Sequence, residues 1–329
     1  MMLDIFKNDA FALTELVASI NKIPYVPTKI GQLGLFREQG IYGLSVAIEQ
    51  RQGVLTLVPT AARGSSGVVK DIQKGNLRDF RPVHLPQRVV VNADEVLGIR
   101  EFGTESTLRS AQGLLLQKMA VARRDLDLTH EWQRMGAIKG QVLDADGTTV
   151  IYDWYTAWGM TQPVLSFALG VDTTRIRSKI NTLERMVEDA LGGMMSQGIT
   201  VLASKEWFDA FTDHPSVTDT YKYTDGGPLR TNQRMTFEFA GLTIMEYRGT
   251  VGGTRFIAAG EAYAFPTGVP DLFMSYFAPA PHMDVVGQQG IPFYMLPEES
   301  DYKRSVAYDV QSNPLHVNTR PEAVVKLTL

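Results

Sequence analysis

Residues 104–135 read TESTLRSAQGLLLQKMAVARRDLDLTHEWQRM, a run without proline. Leu108, Leu115, Met119, Ala122 and Leu126 fall on one helical face, and Leu128, Trp132 and Met135 continue along a shifted one. The spacing predicts a single helix from Thr104 to Met135. At 1.5 Å per residue it would be close to about 50 Å long, far beyond the usual three turns. Such a helix acts as a structural spine. Asp125 and Asp127 within it invite an acid–base reading, but residues two apart on a helix point to different faces. They read instead as solvent or interface charges beside Arg123 and Arg124.

Upstream, residues 9–22 place Leu13, Leu16, Val17 and Ile20 at helical spacing behind Asp9, a candidate N-cap. Residues 40–59 are strand-like, with apolar residues alternating at Leu44, Val46 and Ile48, and their expected partner is the proline-bearing segment 81–91. Between them lies LTLVPTAARGSSGVVK, residues 55–70. A phosphate loop would need a different glycine spacing, a Ser or Thr after Lys70, and a helix to follow. A long two-stranded arm has no core of its own, so something else must hold it. From Arg51 to Arg88 there are seven basic residues against two acidic ones, in a chain whose net charge is −4. A basic projection on an acidic body suits docking onto a neighbour of the same kind. The plainer reading is a solvated loop.

Downstream, QVLDADGTTVIYDW (141–154) predicts a hairpin turning at Asp146-Gly147. Its acidic residues lack the glycine position and distal Glu of a calcium loop. Trp154, Tyr155 and Trp158 read as core or interface anchors. Next comes a surface helix with Asp172 as candidate cap, Ile176, Ile180, Leu183, Val187 and Ala190 as its stripe, and Gly192-Gly193 as its stop. Strands at ITVLAS, TFEFAGLTIMEYRG and TRFIAAG, with a helix from Lys205 to Thr212, make an α+β middle region. FYMLPEESDYKRSVAYDV suggests one long late strand, and PEAVVKLTL a last one.

The composition, 44% hydrophobic and 21% charged over 329 residues, is that of a chain able to bury a core. It has no cysteine, which excludes disulfides and thiolate metal sites. Neither a secretory signal nor a membrane-spanning run is present. Five scattered histidines propose no metal site, and nucleophile-elbow and dinucleotide-binding motifs are missing. No cofactor, metal or catalytic residue is expected. The weak net charge argues against a general nucleic-acid binder.

GVLTLVPTAARGS (53–65), ADEVLGIREFG (93–103) and NTRPEAVVKLTL (318–329), in this order around the long helix, resemble the major capsid proteins of tailed bacteriophages, in particular the lambda-like capsid protein E family. The resemblance implies an α+β fold of the Hong Kong 97 type. Its parts would be an N-terminal arm (1–38), an extended β-hairpin loop (39–92), and a peripheral domain with the spine helix (93–160). An axial domain (161–270), peripheral return strands (271–310) and a C-terminal axial strand (311–329) would complete it. It further implies a non-enzymatic subunit assembling into hexamers and pentamers of an icosahedral shell around double-stranded DNA. The DNA would be contacted non-specifically, scaffold, portal and decoration proteins would be further partners, and no membrane would be involved. The location would be the virion, and the host cytoplasm during assembly. Arg63, Lys70, Lys74, Arg78, Arg123 and Arg124 are the candidate intersubunit contacts. Lys70, Lys74 and Asn76 lie near the loop tip, but no lysine–asparagine cross-link is expected of them. The alternatives are a bacterial nanocompartment shell of the same fold and, further off, an α+β hydrolase with an unrecognised site.

Overall fold

The structure is a computed structural model, and it describes residues 13–22, 29–50, 76–98, 107–222, 236–298 and 305–329. The spine helix runs Thr107–Lys139, 33 residues. Leu115, Met119, Ala122 and Leu126 are buried along its first half as their spacing requires, whereas Leu128 is exposed. Its last turns are buried nearly all round, with Met135, Ala137 and Ile138 beside the polar His130, Glu131, Gln133 and Arg134. The face therefore widens into full enclosure instead of shifting. Gly140 ends the helix with φ +88°, a conformation that L side chains rarely adopt, and the Tyr155 ring fills the place of its missing Cβ.

Two compact units share the chain. The first comprises 1–47, 79–132 and 274–316, and the second 48–78, 133–273 and 317–329.

In the first unit, Leu85–Asn92, Ser305–Ser312 and Tyr294–Glu298 form an antiparallel sheet with Ser305–Ser312 in the middle. Val91 pairs with Val306 and Val89 with Tyr308. Alternate residues Val89, Val91, Tyr308, Val310 and Met295 share one core with Leu16 and Ile20 of the Leu13–Lys22 helix and with the spine. Residues 81–91 are therefore not the arm's partner. The described base of the arm is Val46–Gln50 with Asn76–Phe80, and the 85–92 strand joins the sheet, where alternate residues Val89 and Val91 turn into the core. The expected long late strand is two strands, Tyr294–Glu298 and Ser305–Ser312, paired antiparallel.

In the second unit a six-stranded mixed sheet runs, in order, Val164–Ser166, Val325–Thr328, Glu261–Thr267, Gly198–Ala203, Leu242–Glu246 and Phe237–Phe239. The hairpin Gln141–Leu143 with Val150–Asp153 forms as expected, and Asp146 accepts from the Thr148 and Thr149 backbone N–H groups at its turn. Trp154, Tyr155 and Trp158 are buried, and desolvation pushes the Tyr155 phenol up to about 12. The Ile176–Leu191 helix buries Ile176, Ile180, Leu183, Val187 and Leu191, the last in place of Ala190. Its N-cap position is Arg175, with no side-chain cap. Asp172 sits in the preceding turn, too early to reach the first free N–H groups. The Lys205–Asp213 helix stacks Trp207 on Phe211 at 5.1 Å between ring centroids, with Phe167 edge-on to Trp207 at 5.5 Å.

Glu261–Thr267 lies near the sheet's centre, where TRFIAAG was expected to supply the strand. Only Thr254–Arg255 of that segment is a strand. The run Ala262–Phe265 is buried on both faces, so it lacks the alternation that marks a half-exposed strand, and Pro266 argues against the assignment.

Two backbones of the first unit meet at glycines. A Cβ on Gly290 would stand 2.0 Å from the Phe277 carbonyl oxygen, and one on Gly40 would stand 2.0 Å from the Gly290 carbonyl oxygen. Gly290→Ala is expected to cost about 1–3 kcal/mol, because the obstruction is backbone that cannot swing aside. Urea unfolding of the unassembled chain measures this, against Gly170→Ala as control, where nothing lies within 4 Å of the added atom.

Candidate intersubunit contact site

Neighbours on a helix are turned by about 100°, and here Arg123 and Arg124 point to different surroundings. Arg124 is exposed, loosely paired with Asp125 at 3.8 Å. Arg123 is buried. Its Nε donates to both Asp127 carboxylate oxygens at 3.2 Å, one Nη donates to the Ile20 carbonyl at 2.9 Å, and the guanidinium lies 3.5 Å from the Phe293 ring centroid. This corrects the sequence reading: Arg123 and Asp127 form an internal ion pair and are not surface charges. The i, i+4 spacing announces that the two can pair, but not that the pair is buried.

Arg78 belongs to the Asn76–Phe80 strand at the arm's base, half-buried, with its guanidinium 6.0 Å from the Trp158 ring centroid. It is already engaged within its own unit. Arg63, Lys70 and Lys74 lie outside the described residues. The three described candidates are not brought together, and of these only Arg124 is presented freely to solvent.

Sequence reasoning missed three features. Glu131, buried on the spine, accepts the Ile30 N–H at 2.8 Å and the Gly31 N–H at 3.3 Å, fixing the short Lys29–Gln32 helix. Its partners stand a hundred residues away, so no local pattern announces them. His130 and His316, also distant in sequence, meet with ring centroids 5.3 Å apart, among Phe36, Phe277 and Phe293. The Ser312 hydroxyl donates to the Pro292 carbonyl at 2.6 Å, so it accepts from His130 Nε2 at 2.9 Å. Ser275 Oγ is 2.7 Å from His316 Nδ1. The first pair ties the spine helix to the Ser305–Ser312 strand, and the second joins the neighbouring strands Phe273–Phe277 and Pro314–Asn318. Among the described residues no group of three metal-ligating side chains is found.

The third feature is apolar. Tyr42 and Leu44 on one loop, and Met283 and Val286 on another, are each at least 70% exposed. The loops run side by side, since Gly290 N–H donates to the Ile41 carbonyl at 2.8 Å. Large apolar side chains exposed on adjoining loops are candidates for burial against another protein.

Comparison with known proteins adds the following. The sequence profile of the family described as Phage major capsid protein E matches residues 12–329. The major capsid protein of Pseudomonas phage KPP10 is 26% identical over 341 residues, 96% of each chain. That of Salmonella phage Felix O1 is 24% identical over 360 residues, 98% of each. A crystal structure described as a prophage capsid protein from Escherichia coli CFT073 superposes with a TM-score of 0.58 at 14% identity, over 95% of this chain and 97% of that one.

Two outcomes follow from the internal ion pairs. Arg123→Ala leaves Asp127 buried without its cation and is expected to cost about 3–5 kcal/mol, whereas Arg123→Met combined with Asp127→Leu should lose much less; denaturant unfolding of both variants checks this. Lys118 Nζ donates to Glu95 at 2.6 Å, and that hydrogen bond, with the Asn92 N–H, holds the Glu95 carboxyl below its ordinary value of 4.5. A depressed carboxyl contributes stability above its unfolded pKa and loses it as pH falls through the folded one. Wild type should therefore exceed Lys118→Met by its full margin at neutral pH, and by less once the pH drops below 4.5, as measured by thermal melts across pH.

Proposed function

The chain belongs to the phage major capsid protein E family and has the Hong Kong 97 type of fold, and from that membership we propose that it builds the icosahedral head of a tailed phage as hexamers and pentamers enclosing double-stranded DNA. The family match over residues 12–329 carries the reading. A nanocompartment shell would share the fold, since fold alone does not fix cargo. Sequence kinship favours the head: the relatives matched along nearly their whole length are phage major capsid proteins. Family membership also supports a structural role over a catalytic one.

In this reading the segments keep the roles the resemblance implies. The arm and extended loop reach a neighbouring subunit, the spine helix belongs to the peripheral domain, and the 161–270 region surrounds the capsomer axes. Scaffold, portal and decoration proteins are further partners, DNA is contacted non-specifically, and assembly takes place in the host cytoplasm before the chain becomes part of the virion. The exposed Tyr42, Leu44, Met283 and Val286 support burial against another subunit. The basic cluster of Arg63, Lys70 and Lys74 supports loop docking on an acidic surface.

Purified chain is expected to form rings or shells at high concentration. Sedimentation showing only monomer across salt, with any cognate scaffold added, contradicts this. Reversing Arg63, Lys70 and Lys74 together to Glu should lower particle yield at low salt, and raised salt should restore part of it by screening over about 8–10 Å. Equal yields at low salt mean that the cluster is only a solvated face.

A further inference from the structure

The second unit carries a cleft of about 160 Å³ lined by Ser204, Lys205, Tyr247, Arg248, Thr250 and Arg255. It opens where two neighbouring parallel strands end. Ser204 and Lys205 follow Gly198–Ala203, while Tyr247 and Arg248 follow Leu242–Glu246. Arg255 arrives from the small Thr250–Val251 and Thr254–Arg255 ribbon, so three cations reach one opening from three segments. Two carboxylates face them. Glu206 accepts from Arg255 at 2.6 Å, and Glu246 stands 3.6 Å from Arg248. The Arg255 hydrogen bond is the main reason that the Glu206 carboxyl lies below its ordinary range, so it is ionised at neutral pH. The cleft thus keeps a surplus of one positive charge, with the Arg248 and Arg255 side chains 66% and 53% exposed.

That surplus selects among anions. Duplex DNA is held by many cations neutralising several phosphates, and a single excess charge on a chain of net charge −4 does not make such a field. One carboxylate fits. A second copy of this chain presents more carboxylates than cations, and a guanidinium fork accepts a carboxylate in bidentate fashion. We infer that this cleft receives an acidic side chain of a neighbouring copy, an ion-pair contact of the assembled shell distinct from the basic loop; the inference rests on the shell reading above.

Lys205→Glu separates contact from folding. Lys205 is the first residue of the Lys205–Asp213 helix, where an acidic side chain is favourable. The thermal midpoint of the unassembled chain should hold or rise. Particle yield by sedimentation at low salt should fall about tenfold or more, because like charges then face each other across the contact, and high salt should recover part of it. Arg248→Gln should lower the yield less. If wild type assembles and Lys205→Glu assembles equally, the inference fails and the shell reading stands. If wild type does not assemble under any condition, both fail. If yield is intact but the unassembled variant loses retention of a short DNA duplex in gel-shift, the cleft serves nucleic acid and the inference is overturned.

Discussion

The first unit depends on the buried guanidinium of Arg123. A charge taken out of water is costly unless each of its donors finds an acceptor. Here the acceptors come from separate places: Asp127 one turn along the spine, and the Ile20 carbonyl at the end of the N-terminal helix, with the Phe293 ring covering the cation's face. Removing any one of them leaves a buried charge under-satisfied. The N-terminal helix, the spine and the chain entering Tyr294–Glu298 are consequently fixed as one set. Asn21 adds to the same junction by donating to the Phe293 carbonyl at 3.1 Å. Glu131 repeats the device about two turns further along the helix, with opposite sign, by accepting the N–H groups of Ile30 and Gly31.

The second unit is held differently. Its sheet is closed by the C-terminal strand Val325–Thr328, which lies between Val164–Ser166 and Glu261–Thr267 and pairs parallel with the first and antiparallel with the second. Aromatic packing around Trp207 and the apolar stripe from Ile176 to Leu191 fill the space against it. Polar pairs sit at the strand ends, where Lys326 and Tyr263 both bond Glu261. With the core secured in this way, Arg248 and Arg255 of the cleft stay largely exposed.

How legible these features are in the sequence depends on the range of the forces that make them. The spine, the Asp146-Gly147 hairpin and the Gly192 stop arise within a few residues and are read correctly. Three strands buried on both sides, Glu261–Thr267, Phe273–Phe277 and Pro314–Asn318, escape the sequence reading, because full burial erases alternation. The partner of the 40–59 segment was misplaced for a related reason. Residues 85–92 are strand-forming under either pairing, and only the presence of Ser305–Ser312 decides between them. Of the candidate contacts, Arg124 kept its expected exposure. Arg123 did not, since its burial follows from what packs over it and not from its own neighbours in sequence.

The sequence by itself determined the spine helix, the absence of disulfides and thiolate ligands, the basic cluster between Arg51 and Arg88, and the family, since the motifs that carry the resemblance are local strings. Tertiary structure alone decided that Arg123 and Asp127 face inward, that His130 meets His316, and that Lys205, Arg248 and Arg255 share one opening. The physical reason is range. Periodicity, turn chemistry and helix stops are settled by steric and hydrogen-bonding preferences over a few residues, whereas burial of a charge or convergence of cations depends on residues about fifty to two hundred positions apart being brought within a few ångströms.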